Sequence, residues 1–542
     1  MRENHEQTRP ELAGNPDAII ASVRELRSLD APTHGGRVLS YVYDTGISEI
    51  DDLAGDVARI VQPLNALDPT TFPSVAVMES DLIAFAREML HGGNDVAGNV
   101  TSGGTESCLL AVRTARDLWR VGRDRFAIGR IVAPTTVHAA FRKAAKYFDM
   151  ILDEVPVDPA TGQVSAADVI ERMGDDVALV VLSTPNYPYA GLDPVAEVAP
   201  VALERGIALH VDACIGGFAL PWWKGVAHAW DFAVPGVTSI SADLHKYGFA
   251  PKGASVLLHK GHARHRAQYF SITDWPGYPV VNPTMLGSKS AAPIASAWAI
   301  VQYLGTAGFA EQVALMQTAT AELVAGLNQI EGLRVQGEPT GPLLAVVADE
   351  SVAPDRRVNP HKLVDDIRAS GWILQSQPGQ VQTDGTLLPQ SAHLTITPVT
   401  HGKTGDLLAA ISASADRVRG AAGALESPMV LGGVAAIKAQ FAALGVGENG
   451  EGLEQVPAEV MDQALAGLLL ALGVGGSGGA GSEGVAGSGG AGSDLTGSDL
   501  TGSGAGSELP ANMSDLLAIA QLLPEPIATR ILTEVLAQVI AP

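Results

Sequence analysis

Cysteine is almost absent. Cys108 and Cys214 are the only two in 542 residues. They are too few for a disulfide framework or a multi-cysteine zinc site. Positive charge is also scarce, with 35 Lys and Arg against 59 Asp and Glu and a formal net charge of −24. That excludes a general nucleic-acid binder, which needs a basic surface to neutralise phosphates. A small basic pocket stays possible, because a local field can oppose the global charge. Long apolar runs are missing too. No stretch reaches the roughly 18 uncharged apolar residues of a membrane span, so no integral membrane segment is expected. The N-terminal MRENHEQTRPELAGNPD lacks the apolar core of a secretory signal. These absences lead to the expectation of a soluble, cytoplasmic protein.

What is present is a large apolar fraction, 46%, and enough chain for two or three domains with a sizeable core. Residues 1–95 read as an N-terminal helical segment, from the three- and four-residue apolar spacing of ISEIDDLAGDVARIVQPLNAL and VMESDLIAFAREMLHG. Over 96–329 the pattern becomes α/β. Strands are predicted at RIVAP (130–134), ALVVLST (178–184), IALHVDAC (207–214), SISAD (239–243) and ASVLLH (254–259). Helices such as TESCLLAVRTARDLWR separate them, and a long helical stretch follows near 290–328. Continuous apolar strands alternating with helices imply a mostly parallel sheet covered on both faces. Such sheets bind ligands at the C-terminal ends of their strands. Residues 330–420 read as a small C-terminal α+β domain and 421–472 as a helical extension. Segment 473–507, with GSDLTGSDLTGS, has linker composition. The tail, 508–542, has amphipathic helical spacing, which suits a docking or oligomerisation helix or a weakly structured end.

Four short segments could carry chemistry. TSGGTES (101–107) precedes a helix. Exposed N–H groups and the helix dipole there would suit a phosphate, with Thr105 and Ser107 as hydroxyl donors. An ordinary glycine turn with a cap has the same composition. His138 follows the strand RIVAP. A lone histidine is usually structural, but its place at a strand's C-terminal end favours function. Asp212, in HVDAC, ends an apolar strand, where a carboxylate is either a cap or functional. SADLHKYGFAPKG (241–253) holds His245, Lys246 and Lys252. A lysine can reach solvent on its flexible stem. Held in a pocket, it can form a Schiff base instead.

A phosphate cradle, a strand-end histidine, a strand-end aspartate and a Schiff-base lysine together are what pyridoxal 5'-phosphate requires. In that order, TSGGTESCLLAVRTARD, HVDACIGGF and SADLHKYGFAPKG resemble the fold-type I pyridoxal-phosphate enzymes. Within their group II decarboxylase branch they are most similar to the sphingosine-1-phosphate lyase family, over roughly residues 35–415.

The resemblance implies a fold-type I α/β architecture, with a large mostly parallel sheet domain and a small α+β domain, working as a homodimer. It implies that Lys246 carries the cofactor and that Asp212 pairs with its pyridine nitrogen. His138 would stack on the ring. Gly103, Gly104 and Thr105 would hold the phosphate, with His245 beside it and Ser288 reaching in from a partner subunit. Tyr43 and Lys252 would serve the substrate, a small-molecule amine. Cys214 matches a family cysteine, and a small buried apolar residue would look the same. The implied reaction is retro-aldol cleavage of a long-chain amino alcohol phosphate to an aldehyde and phosphoethanolamine. An L-amino acid decarboxylase, or a lyase on an unphosphorylated amine, is the alternative.

Two positions depart from the family pattern. NALDPTTFP (65–73) has Asp68 where the family carries histidine, and GSKSAAP has Lys289 for arginine. An aspartate beside a substrate phosphate repels it unless paired. Lysine keeps the charge of arginine but not its bidentate geometry.

Overall fold

The computed structural model describes residues 14–457 and 513–540. These form two compact units: Thr33–Ala421, and the described residues of 1–32 together with those of 422–542.

The larger unit is organised by a seven-stranded sheet: β1 (Val96–Thr101), β2 (Arg130–Pro134), β3 (Ile151–Val155), β4 (Val177–Ser183), β5 (Ala208–Asp212), β6 (Ser239–Ala242) and β7 (Ser255–Lys260). Its order is β1-β7-β6-β5-β4-β2-β3. The five strands from β6 to β3 run parallel, while β7 is antiparallel to both its neighbours. All five predicted strands are among them. Every residue of β4 is buried, and its two faces enter different cores. Val180 and Leu182 pack in a cluster with Val198 and Ala202 of the helix Val195–Glu204. Leu179 and Val181 pack with Val112 and Phe141 of the helices Gly104–Trp119 and Ala139–Tyr147. Burial on both faces is why β4 reads as a continuous apolar run rather than an alternation.

Two strands of this sheet escaped the sequence reading. VAGNVT, in β1, is small and polar. Its Gly98 lies so close to β7 that a Cβ there would meet the Leu257 carbonyl oxygen at 2.1 Å, so packing rather than propensity keeps the residue small. ILDEV, in β3, is an edge strand whose Asp153 and Glu154 pair with Arg130, Arg172 and Arg142. Charges blunt an edge in this way.

A short hairpin follows, β8 (Phe270–Ile272) with β9 (Val280–Asn282). The helix Ala292–Leu327 breaks at Gly305, whose backbone leaves helical space at φ 53°, where one continuous helical stretch was expected. The small sheet contains β10 (Leu333–Val335), β11 (Leu343–Ala348) and β12 (Gln375–Gln377). The two-residue pair β13 (Gln380–Val381) and β14 (Leu387–Leu388) precedes its last strand, β15 (Ser391–Thr395). The order is β10-β11-β15-β12. Residues 37–39 are stitched to it by backbone bonds from Ile373 to Arg37 and from Leu39 to Ile373.

In the second unit, the helices Met513–Leu522 and Glu525–Ile540 pack on the helix Pro428–Ala443 through Ile519, Leu523, Ile527 and Ile531 against Val430, Val434, Ile437 and Phe441. Of the tail, the described residues 513–522 and 525–540 are helical. The stretch 473–507 lies outside the described residues. Among the described residues no helix is long and apolar enough to cross a membrane.

Candidate active site

Strand ends and one helix start build the site. The helix Gly104–Trp119 begins directly after the β1 turn, and its first N–H groups have no intrahelical acceptor. A Cβ at Gly104 would meet Asp243 Oδ2 at 2.6 Å and Cys214 Sγ at 2.9 Å, and one at Gly103 would meet His245 Cε1 at 3.2 Å. The two glycines thus leave room between the helix start and the segment after β6. Thr105 is exposed beside them. Ser107 is not available as a donor, contrary to the sequence expectation. It is fully buried, and its hydroxyl bonds to Thr101 at 2.7 Å and Ser255 at 2.9 Å.

Asp212 is the last residue of β5, 7% exposed, and its Oδ1 accepts the Cys214 N–H at 3.1 Å. His138 caps the next helix by accepting the Ala140 N–H at 3.2 Å. Removal from water lowers its pKa more than the Asp212 charge raises it, so the ring is neutral. Cys108, Asp212 and Cys214 bring their polar atoms within 4.8 Å of one another. Both thiols stay protonated. The bond to Cys108 and burial push the Cys214 thiol well above its ordinary pKa, which fits the inert, space-filling reading of that cysteine.

Lys246 sits on the turn after β6, with Nζ 3.1 Å from Asp243 Oδ2. Asp243 is almost completely enclosed, and His245 Nε2 stands 3.5 Å from the same oxygen. Burial alone would lower the Lys246 pKa. The carboxylate of Asp243 and further negative groups outweigh it, so the amine is held charged. Asp243 is the residue the sequence reading passed over. The signal was present: an acidic side chain three positions before a lysine, at the end of an all-buried strand.

Lys252 adjoins this cluster. Its Nζ donates to the His245 carbonyl at 2.9 Å and lies 4.5 Å from the centre of the Tyr43 ring. Lys252 as a residue is exposed, but partial burial of its amine beside Tyr43, and then the Lys246 charge, lower its pKa to about 8. Tyr43 packs edge-on to Tyr247, at 5.0 Å between ring centres. Desolvation raises its own pKa to about 12. Tyr43, Lys252, His245 and Tyr41 line one cavity of about 280 Å³. Tyr187, on the loop after β4, is a further residue the sequence reading missed. It lies within electrostatic reach of Lys246, Tyr43 and Tyr41. The strand-end rule that singled out His138 and Asp212 applies to it equally.

Three residues singled out in the sequence stand elsewhere in this chain. Ser288 Oγ accepts from Asn65 Nδ2 at 3.2 Å. Lys289 donates to the Val100 carbonyl and lines a separate cavity of about 910 Å³ together with Asp68. Asp68 is exposed but not free: Thr70 and Thr71 hydroxyls donate to it at 2.6 and 2.7 Å and hold its pKa at about 2.

The residues present fit pyridoxal phosphate. A helix start without side chains at 103 and 104 suits a phosphate, a buried strand-end carboxylate suits a ring nitrogen, and an enclosed amine suits the aldehyde. Known proteins agree. Residues 34–345 match the pyridoxal-dependent decarboxylase conserved domain. The sphingosine-1-phosphate lyase of Dictyostelium discoideum is 34% identical over 334 residues, 61% of this chain and 63% of that protein. That of Saccharomyces cerevisiae is 32% identical over 398 residues, 71% of this chain and 66% of that protein. The chain thus matches just under two thirds of the length of these relatives. The structure of the Burkholderia pseudomallei sphingosine-1-phosphate lyase superposes with a TM-score of 0.69 at 30% identity, covering 76% of this chain and 92% of that one. Glutamate decarboxylase of Lactobacillus brevis shares the fold, with a TM-score of 0.66 at 20% identity.

Proposed function

The chain belongs to the pyridoxal-dependent decarboxylase family, and on that premise we propose that it is a carbon–carbon lyase acting on a phosphorylated long-chain amino alcohol. The observation that carries this reading is the second cation beside the cofactor lysine. Lys252 stands over Tyr43, on the substrate side of Lys246. A charged amine there suits an anionic substrate end, and a pKa of about 8 also suits proton transfer near neutral pH.

Bound pyridoxal phosphate supplies an electron sink for the carbanion left when a Cα bond breaks. Lys246 would hold it through its aldehyde, Asp212 at the pyridine nitrogen, and Gly103, Gly104, Thr105 and His245 at the phosphate. His138 would lie on the ring face. The Ser288 loop, which in this chain leans on Asn65, would complete the cradle of a second subunit in a homodimer. The residues around the substrate then select the bond to be broken. In cleavage, the β-hydroxyl proton leaves to a neighbouring base, the Cα–Cβ bond breaks to give a long-chain aldehyde, and a proton returns to Cα to give phosphoethanolamine. Lys252, charged below about 8, would return the proton to Cα, and Tyr43 would hold the β-hydroxyl oxygen.

One observation favours a second reading. Asp68 is a fixed anion where the family carries histidine, which suits an unphosphorylated amine or amino acid better. Incubation with a phosphorylated sphingoid base and, separately, with L-amino acids decides between them. Long-chain aldehyde release supports the lyase. Carbon dioxide release without aldehyde overturns it.

A further inference from the structure

Three chain segments meet above the Lys246 cleft through one amide. Gln375, on β12, accepts the Tyr187 O–H at Oε1 over 2.6 Å and donates from Nε2 to the Tyr41 hydroxyl oxygen at 2.8 Å. Ser40 adds a third bond, Oγ to Oε1, at 3.3 Å. Directly across the strand pair from Gln375 lies His393. It is fully buried and packs its ring on Tyr187 at 4.4 Å. Burial holds that imidazole neutral, with a pKa of about 3. The platform under Tyr187 is therefore uncharged, and desolvation keeps the phenol protonated. Tyr41 is a strained residue. Its φ of +62° is left-handed, costly for a bulky side chain and usually retained for a functional reason.

We propose that Gln375 is a positioning residue which fixes the hydrogen-bond polarity of the two tyrosines at the substrate side. The Tyr187 proton is committed to Oε1, so its oxygen, on which the Thr395 side chain also bears, offers the substrate a lone pair and no proton. The Tyr41 oxygen is engaged by Nε2, so its own O–H points outward as a donor. The set reads an amine substrate that carries a hydrogen-bond donor, a hydroxyl, near Tyr187 and an oxyanion near Tyr41. A substrate with these two groups exchanged, or lacking the hydroxyl, leaves one tyrosine unmatched. The assignment deepens the lyase reading above and rests on it.

A double-mutant cycle on the holoenzyme tests it, with Gln375→Met, Tyr187→Phe and the pair. With a phosphorylated sphingoid base, Gln375→Met is expected to lower kcat/KM about 10- to 100-fold. The double variant should exceed the Tyr187→Phe loss by less than the full Gln375→Met factor, because the two changes share the Tyr187 bond and only Gln375→Met also removes the Tyr41 bond. Melting temperature and cofactor absorbance should match the parent. Multiplying effects in the double variant, or a kcat/KM within twofold of the parent, overturn the proposal. So does a loss of activity that follows a loss of bound cofactor. If the parent releases no aldehyde, the lyase reading fails on its own. Gln375 is then read by titrating phosphoethanolamine against the cofactor absorbance. A roughly tenfold weaker Kd in Gln375→Met supports the assignment, and an unchanged Kd or no binding to the parent overturns it.

Discussion

The cofactor end and the substrate end of the cleft are built from different material. At the cofactor end, Asp212 and Asp243 end or directly follow buried strands of one sheet, and Gly104 starts a helix laid on it. Replacing a hydrogen by a methyl there brings contacts of 2.6 to 2.9 Å. At the substrate end, Tyr41, Tyr187, Lys252 and Gln375 come from four distant segments, and Tyr41 is 69% exposed. Side-chain hydrogen bonds join Tyr41, Gln375 and Tyr187, while Lys252 bonds to the His245 carbonyl and stands over Tyr43. The difference teaches a division of labour. On the function proposed above, a rigid frame would fix the cofactor, whose shape never changes, and an adaptable polar set on loops and on the small sheet would select the substrate.

The comparison breaks if the rigid end tolerates change. Lys246→Ala should lower turnover by roughly 10³-fold or more. Borohydride treatment should then attach no pyridoxyl mass, and absorption near 420 nm should be missing. Retained turnover and label would remove Lys246 from its place. Gly104→Ala is the next largest. Its methyl group enters the space of Asp243 and Cys214, so cofactor affinity should fall about 10- to 100-fold and stability by roughly 1–3 kcal/mol. Cofactor titration and thermal melting read both, and parental values would show that the cradle is not close-packed.

This division also explains how much was legible in the sequence. TSGGTES, HVDAC and SADLHKYGFAPKG are contiguous because a strand end or helix start presents neighbouring residues to one point. They led to Gly104, Asp212 and Lys246, the end of the strand RIVAP led to His138, and the apolar strands around them led to the sheet. Gln375 had no such signal: it is an ordinary polar residue 188 positions from Tyr187, joined to it only when the small sheet folds. Gly98 in β1 and the acidic β3 were illegible for a related reason. Contacts with Leu257 and with three arginines, distant in sequence, decide their conformation.

Lys252 tests the adaptable end through pH. Its pKa falls from 10.5 to about 8, so the anchoring charge is present below about 8 and disappears above it. With a phosphorylated substrate, kcat/KM should decline as pH rises through that value. Lys252→Met should lose this limb and be roughly tenfold slower at pH 7. Stability carries the opposite sign. Between about 8 and 10.5 the unfolded chain binds the extra proton, so the Lys252 contribution to stability grows with pH across that window. An unchanged alkaline limb in Lys252→Met assigns the titration to another group.

The smallest effect is expected at Asp68, and it sharpens the same boundary. Asp68 is exposed and pinned by Thr70 and Thr71, so Asp68→His removes a charge without opening a packed core. The fixed anion shares its cavity with Lys289, and its removal should raise the preference for a phosphorylated over an unphosphorylated amine about two- to fivefold. Because the carboxylate pKa is held at about 2, the parent's charge is constant across the working range. The gain should therefore be equal at pH 6 and at pH 8 once imidazole protonation is allowed for, unlike the Lys252 limb. No gain with either amine would place phosphate selection wholly with Lys252 and Tyr41. A gain that followed Lys252's titration would show the two loops acting on one phosphate.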